Sequence, residues 1–260
     1  MAVKKSRRTQ QAIQSVAALV TGRFTRYLWP ASSVKLKAPS NLRTLATGFR
    51  PVDKAIGLGG LPRGYLVELI APASSADSSG TICIATRIAA KAQRQQQVVT
   101  IIDLSHQFES WLAERCGLVA PHLLLTEPDT IFTALTTLER AAQAEGLVVI
   151  IAGQVAELFK HIDPALLKML YRRLQTIVER SNCVFLCVTT PQAADPFLPT
   201  NYPAGFNLAE LAAIRLWVQA ESWSYQAGLA TAYKANLTVI KNQLAVVGPG
   251  ADIRFKFGSL

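Results

Sequence analysis

The chain has 260 residues, of which 50% are hydrophobic and 17% charged. This composition allows a large buried core and excludes a globally disordered protein. The formal net charge is +10, and the excess is local, because ten basic residues precede the first acidic residue, Asp53. The other 17 basic residues balance the 17 acidic ones, so we predict a polyanionic partner for the first fifty residues.

The cysteines and the hydropathy pattern indicate a reduced, aqueous environment. Cys83, Cys116, Cys183 and Cys187 form no C-x-x-C pair, and each lies among apolar residues. We therefore predict buried thiols rather than disulfides or metal ligands. No apolar run is long enough to cross a bilayer, and the N-terminus lacks the apolar core and cleavage site of a secretory signal. We expect a cytoplasmic protein with no membrane partner, metal or other cofactor.

Residues 1–44 are predicted to form a basic N-terminal extension, made of a helix and a linker. Apolar residues recur at helical spacing from Ile13 to Val20. Cations and aromatic residues surround this helix, a mixture that suits phosphate contacts and base stacking. The candidate DNA-binding residues are Lys4, Lys5, Arg7, Arg8, Arg23, Arg26, Tyr27, Trp29, Lys35 and Lys37. An equally weighted interpretation is that the apolar face of the helix docks onto the main domain or a partner.

The stretch from Gly57 to Ile88 organises the remaining residues. It reads as a glycine turn, a buried strand, a small-residue loop and a helix, which is the context of a phosphate-binding loop. Ala71 and Ala76 replace the two glycines of such a loop, and Asp77 replaces its lysine. An anion at that position reverses an attraction of about 4 kcal/mol at about 4 Å and an effective dielectric near 20. The degenerate loop comprises Ala71, Ser74, Ser75, Ala76, Asp77, Ser78 and Ser79.

Short apolar runs alternate with helical patterns along the rest of the chain. Strands are predicted at 98–103, 122–125, 148–152 and 184–188, and helices at 81–97, 108–116, 130–144 and 164–180. This alternation predicts an α/β core domain over residues 45–260, with a mostly parallel central sheet flanked by helices. Antiparallel strands at 214–221, 232–241 and 252–257 are expected to end it.

A proline-rich stretch at residues 191–207 interrupts this alternation and is too long for an ordinary connection. It contains no lysine or arginine and one acidic residue, Asp195, so it is poorly suited to phosphate binding. Its aromatic residues Phe197 and Tyr202 are candidates for stacking on bases or contacting a protein partner.

Three segments in this order resemble the core of RecA-family recombinases. Residues 46–64 are similar to the approach to the family's nucleotide strand, and residues 67–75 to its phosphate loop. Residues 239–243 are similar to the strand end that follows its second DNA-binding loop. The resemblance extends from about Leu45 to Leu260 and implies a RecA-like fold. It also implies that residues 191–207 correspond to the second DNA-binding loop and that the first loop is short.

The same resemblance implies that the family's ATPase residues are missing. The position of the water-activating glutamate falls on Ser105, that of the metal-supporting aspartate on Ala152 or Gly153, and that of the γ-phosphate-sensing glutamine on Thr190. ATP hydrolysis depends on positioned charge and Mg²⁺, so we predict a protein that is not an enzyme, with residual nucleotide binding left open. Asp103 and His106 remain nearby, and we predict structural or surface roles for them.

RecA-like proteins without a working nucleotide site include the ImuA-type accessory proteins of bacterial mutagenic repair and the SulA-type inhibitors of cell division. The basic, aromatic extension makes this chain more similar to the ImuA type. The resemblance implies a non-catalytic accessory protein of the SOS response, active in DNA repair or translesion synthesis, that binds DNA, a polymerase or a recombinase.

Two alternatives stay open. The first is a pseudo-ATPase that regulates a division factor or a recombinase without binding DNA. The second is a working NTPase in which Ser74, Ser75, Ser78 and Ser79 hold phosphate at a helix N-terminus. Self-association and filament formation are also left open by the sequence.

Overall fold

The computed structural model describes residues 39, 41–72, 79–198 and 202–258. Its strands are β1 (Thr44–Leu45), β2 (Leu61–Pro62), β3 (Tyr65–Ile70), β4 (Val99–Asp103), β5 (Leu123–Thr126), β6 (Leu147–Gly153), β7 (Val184–Thr189), β8 (Ile214–Gln226), β9 (Leu229–Asn242) and β10 (Ala251–Lys256). Its helices are α1 (Arg50–Ile56), α2 (Ser79–Arg94), α3 (Ser110–Arg115), α4 (Ile131–Ala141), α5 (Val155–Leu158), α6 (Pro164–Arg180) and α7 (Leu208–Leu211). Two 3₁₀ turns lie at Ala120–His122 and Ala142–Ala144.

The centre of the fold is an eight-stranded sheet with the strand order β10–β9–β8–β3–β7–β6–β4–β5. The strands from β8 to β5 in this order are parallel, whereas β8, β9 and β10 pair antiparallel. Strands β4, β6 and β7 are buried along their whole length, as expected for apolar strands covered by helices on both faces. The predicted α/β class, with a mostly parallel sheet and antiparallel C-terminal strands, is confirmed.

Helix boundaries follow local capping. Helix α6 begins and ends at the predicted residues. Its start is fixed by capping: the Asp163 carboxylate accepts hydrogen bonds from the backbone N–H groups of Ala165 and Leu166, and Pro164 occupies the first turn. Helix α2 ends at Arg94, three residues before the predicted end. The predicted helix at 130–144 ends as α4 at Ala141 and continues as a 3₁₀ turn.

The β8–β9 hairpin is longer than predicted. Its strands continue to Gln226 and start again at Leu229, joined by Ala227 and Gly228, which both have positive φ. Positive φ at both central residues is the signature of a type I′ turn, whose twist matches that of the strands. The outer half of β8 is mostly exposed, but Trp223 and Tyr225 alternate with serines there, which is the period of a half-buried strand. This alternation was the available indication of the extension, and the prediction missed it.

Two hydrophobic clusters cover the two faces of the sheet. One packs α1, α2 and α3 against it, and the other packs α4, α6 and α7. All four cysteines lie in these clusters as free thiols. Among the described residues, no helix combines the length and apolar character needed to span a membrane.

Candidate functional site

The carboxyl ends of the parallel strands bring the three implied ATPase positions together. Ser105 follows β4, Gly153 ends β6 and Thr190 follows β7. The Thr190 N–H donates to the Gly153 carbonyl at 2.8 Å, and the Ala71 N–H donates to the Thr189 carbonyl at 2.8 Å. These contacts place the start of the degenerate loop beside the same edge. Ser105 and Thr190 present hydroxyl groups there and Gly153 has no side chain, so none of the three positions carries a charge.

Asp103 contacts Ser105, and its carboxylate has a structural role. Its buried carboxylate accepts hydrogen bonds from the backbone N–H groups of Ser105 at 3.0 Å and Phe108 at 2.7 Å. This contact closes the turn after β4. His106, in the same turn, has a positive φ and lies on the surface with its Nδ1 atom 3.5 Å from Glu127 Oε2. The predicted structural and surface roles of the two residues agree with this geometry.

Gly153 has a φ of +56°, and a Cβ atom at this position would lie 3.1 Å from the Ser105 Cβ. Residues with a side chain rarely adopt this backbone conformation. A carboxylate at position 153 would therefore require both backbone strain and displacement of Ser105. The local backbone favours glycine over the aspartate that the resemblance implies for this region.

A carboxylate of the protein lies beside the first turn of α2. Gly80 is buried, and a Cβ atom there would overlap Glu221 Oε1 and lie 2.5 Å from Tyr233 Cε2. The Tyr233 hydroxyl donates to Glu221 Oε1 at 2.5 Å, and burial raises the pKa of Tyr233. An anion near a helix N-terminus interacts favourably with the helix dipole. The β8–β9 hairpin thus places negative charge at the helix end that would face phosphate in a working site.

A buried ion pair anchors the proline-rich loop to the sheet. Arg215 Nε donates to Glu68 Oε2 at 2.5 Å, and the side chains of the pair are 5% and 0% exposed. The Tyr202 hydroxyl and the Thr189 hydroxyl donate to Glu68 Oε1 at 2.6 Å and 3.0 Å. The Arg215 guanidinium also donates to the Tyr202 hydroxyl at 2.6 Å and to the Pro196 carbonyl at 3.1 Å.

Sequence reasoning missed this network. The available indication was Glu68 itself, a charged residue inside an apolar strand, since a buried carboxylate requires a partner. The two aromatic candidates of the loop, Phe197 and Tyr202, therefore have different environments. The Tyr202 hydroxyl is occupied by Glu68 and Arg215, and burial raises its pKa. Phe197 remains 60% exposed, next to Leu198 at 41%.

The strand end at residues 239–243 also has structural contacts. Lys241 Nζ donates to the carbonyls of Ala209 and Glu210, at the C-terminal part of α7. Burial lowers the pKa of Lys241 to about 8. Asn242 Nδ2 donates to the Ile56 carbonyl, which connects this strand end to α1.

Several predicted site residues lie outside the described part of the chain. In the degenerate loop these are Ser74, Ser75, Ala76, Asp77 and Ser78, whereas Ala71 and Ser79 are described at its two ends. The ten candidate DNA-binding residues between Lys4 and Lys37 are also outside it. Their roles and the domain boundary at residue 44 stay predictions. No group of three or more metal-ligating side chains occurs among residues 39, 41–72, 79–198 and 202–258.

A mostly parallel sheet of this strand order, with helix α2 after β3 and antiparallel strands β8, β9 and β10 at one side, defines a RecA-like α/β domain. Residues 26–259 match the RecA N-terminal domain family. The chain belongs to the RecA family. The match begins inside the predicted extension, nearer the N-terminus than the resemblance seen in the sequence.

Curated relatives agree with this assignment. Over 231 residues the chain is 29% identical to Protein RecA of Thermus thermophilus, covering 82% of this chain and 67% of the relative. It is 27% identical to Protein RecA of Thermus aquaticus over the same length and coverage. Protein RecA of Chloroflexus aurantiacus is 28% identical over 220 residues, with 78% of this chain and 62% of the relative covered. The chain therefore spans about two thirds of the length of these relatives.

Proposed function

We propose that this protein is a non-catalytic RecA-like accessory protein of the ImuA type, active in DNA repair or translesion synthesis. The observation that carries the proposal is the chemistry at the strand ends. Ser105, Gly153 and Thr190 provide no carboxylate for Mg²⁺ or for activating water, and Asp77 stands in place of the phosphate-loop lysine. A scaffold with this site acts by binding rather than by phosphoryl transfer.

The charge distribution supports DNA as one partner. All of the net +10 charge arises from the first fifty residues, because the cations and acids of the remainder are equal in number. Cations that neutralise DNA phosphates release condensed counterions, which gives affinity that falls steeply with salt. The aromatic residues Tyr27 and Trp29 supply flat faces on which unpaired bases can stack. A polymerase or recombinase partner would contact the same segment or the core surface.

DNA titration at several salt concentrations tests the DNA part of this proposal. We expect the full chain to bind single- and double-stranded DNA, with a logarithmic salt slope of about −0.9 for each phosphate contacted in duplex DNA. Replacing Lys4, Lys5, Arg7 and Arg8 by glutamine should lower the affinity at low salt at least about tenfold and reduce the steepness of the slope by about 3–4.

A charge-matched control separates local contacts from net charge. It replaces four exposed cations of the core, Arg140, Lys168, Arg172 and Arg180, by glutamine. This variant has the same net charge as the N-terminal one and should retain the wild-type affinity within about threefold, since it removes no proposed contact. Absence of binding at low salt, or equal losses in the two variants, would contradict the DNA part of the proposal.

A second function is favoured by the surface of the proline-rich loop. Phe197 and Leu198 are exposed beside a loop without cations, and the loop is fixed to the core through Pro196 and Tyr202. An apolar, preorganised surface of this kind suits a protein partner better than phosphate. The corresponding function is a pseudo-ATPase regulator of a recombinase or division factor. A partner retained by the full chain in nuclease-treated extract, and lost on Phe197→Ser, would favour this version.

A further inference from the structure

Strand β8 has a bulge at the residue through which it contacts the start of α2. The pairing of β8 with β9 shifts between Gln219 and Ser222, so that Ala220 and Glu221 together occupy the space of one residue on β9. Ala220 has a φ of +50°, which a residue with a side chain rarely adopts. Bulges of this kind redirect the side chains beside them. The strand is therefore irregular at Glu221.

The Glu221 carboxylate lies against the first turn of α2. A Cβ atom at Gly80 would overlap Glu221 Oε1, so only a residue without a side chain leaves room for this oxygen. Helix α2 has no acidic residue of its own in its first turn. An anion within the first turn of a helix interacts favourably with the helix dipole. For α2 the hairpin supplies this anion, from a distant part of the chain.

A buried tyrosine holds the carboxylate in this place. Tyr233 is fully buried, and its hydroxyl donates to Glu221 Oε1 at 2.5 Å. Its ring packs edge-on against Trp223, with 4.9 Å between the ring centres, and lies 5.3 Å from the Phe255 ring. Because its neighbours fix the ring, the hydroxyl directs Glu221 toward one position on α2.

The start of α2 keeps a capacity for anions that its own residues do not use. The helix is 16 residues long, and helix N-termini of this kind attract phosphate through the dipole and free N–H groups. Thr81, in the same turn, is fully buried, and its hydroxyl has no hydrogen-bond partner within the described part of the chain. A donor therefore stays unsatisfied there, although Glu221 already brings negative charge to the turn.

We propose that Glu221 is an autoinhibitory anion, which holds the β8–β9 hairpin against the start of α2 and excludes phosphate from that turn. A phosphate at the same place would be repelled by the carboxylate and would have to displace it from Tyr233. This inference rests on the proposed function, because it names a contact that keeps nucleotide away from the non-catalytic site. It adds a second barrier to Asp77, since the two anions come from different segments of the chain.

Calorimetric titration of the full chain with inorganic pyrophosphate tests the proposal in an Asp77→Lys background. Asp77→Lys alone should bind pyrophosphate weakly, because Glu221 still occupies the turn. Asp77→Lys/Glu221→Gln should bind it at least about tenfold more tightly, since a neutral amide of the same size removes the repulsion. Glutamine can still accept the hydrogen bond from Tyr233, so little packing is lost.

A charge-matched control separates the local contact from net charge. Asp77→Lys/Glu179→Gln removes an exposed carboxylate from the C-terminal end of α6 and has the same net charge. Its affinity for pyrophosphate should stay within about threefold of that of Asp77→Lys. In the same background Tyr233→Phe keeps the Glu221 charge and removes only its hydrogen bond, so we expect a smaller gain in affinity than from Glu221→Gln.

Two results would overturn the inference. One is equal affinity of the Glu221→Gln and Glu179→Gln variants for pyrophosphate. The other is binding by Asp77→Lys alone as tight as that of Asp77→Lys/Glu221→Gln, a comparison that Tyr233→Phe repeats with the carboxylate in place. Either result leaves the proposed function standing, because that function fails only if the unaltered chain binds and hydrolyses Mg²⁺–ATP.

Discussion

Replacement of Arg215 by methionine should lower the free energy of unfolding by about 3–5 kcal/mol, because it leaves the Glu68 carboxylate buried without its cation. Methionine fills a similar volume, so loss of packing adds little. The change also removes the hydrogen bonds from the guanidinium to Tyr202 and to the Pro196 carbonyl. Urea unfolding followed by circular dichroism measures the effect, with the midpoint and the slope fitted separately.

The matched control is Arg173→Met. Arg173 pairs with Glu139 at 2.7 Å, but the two side chains are 39% and 54% exposed. Exposed pairs of this kind contribute about 0–1 kcal/mol. The double variant Glu68→Gln/Arg215→Met has neither buried charge. We therefore expect it to be more stable than Arg215→Met alone, although less stable than the wild type. Equal effects of Arg215→Met and Arg173→Met would contradict the assignment of a buried anchor for the loop.

The second large effect is expected at Gly80. Alanine is intrinsically more favourable than glycine inside a helix by about 1 kcal/mol, so propensity alone predicts a more stable protein. The structure predicts the opposite, since the added methyl group overlaps the Glu221 carboxylate and the Tyr233 ring. Overpacking of a well-packed site typically costs about 1–3 kcal/mol. Thermal and urea unfolding of Gly80→Ala should therefore show a less stable protein.

A double-mutant cycle tests the cause of this loss. Glu221→Ala removes one of the two overlapping groups, so the effect of Gly80→Ala should be smaller in that background than in the wild type. The Tyr233 ring remains, and recovery should be partial. If the Gly80→Ala variant unfolds at the same temperature and urea concentration as the wild type, or at higher ones, the hairpin does not pack against the start of α2.

Local patterns predicted most of the core. The central strands were identified by apolar runs because parallel strands covered on both faces have no polar alternation. Helix α6 was identified to the residue, and the structure shows that its start coincides with the Asp163 cap and with Pro164 in the first turn. The outer part of the β8–β9 hairpin was missed, since its pairing depends on an Ala227–Gly228 turn and on strand residues that face solvent.

The candidate site was predictable only in part. The positions of Ser105, Gly153 and Thr190 were inferred from the family resemblance, and the parallel sheet places them at one edge. Contacts between residues far apart in sequence were not predicted. Glu68 and Arg215 are 147 residues apart, and the sequence provides no pairing pattern that links them. The contact of Gly80 with Glu221 was missed for the same reason.

Calorimetric titration of the unaltered full chain with Mg²⁺–ATP, together with a phosphate-release assay, tests the central claim most directly. Asp77→Lys serves as the comparison, because it removes the anion from the phosphate loop and restores a cation. We predict no turnover by either protein, since Ser105, Gly153 and Thr190 are unchanged in both, and no micromolar binding by the unaltered chain. Micromolar binding with turnover by the unaltered chain would contradict the account.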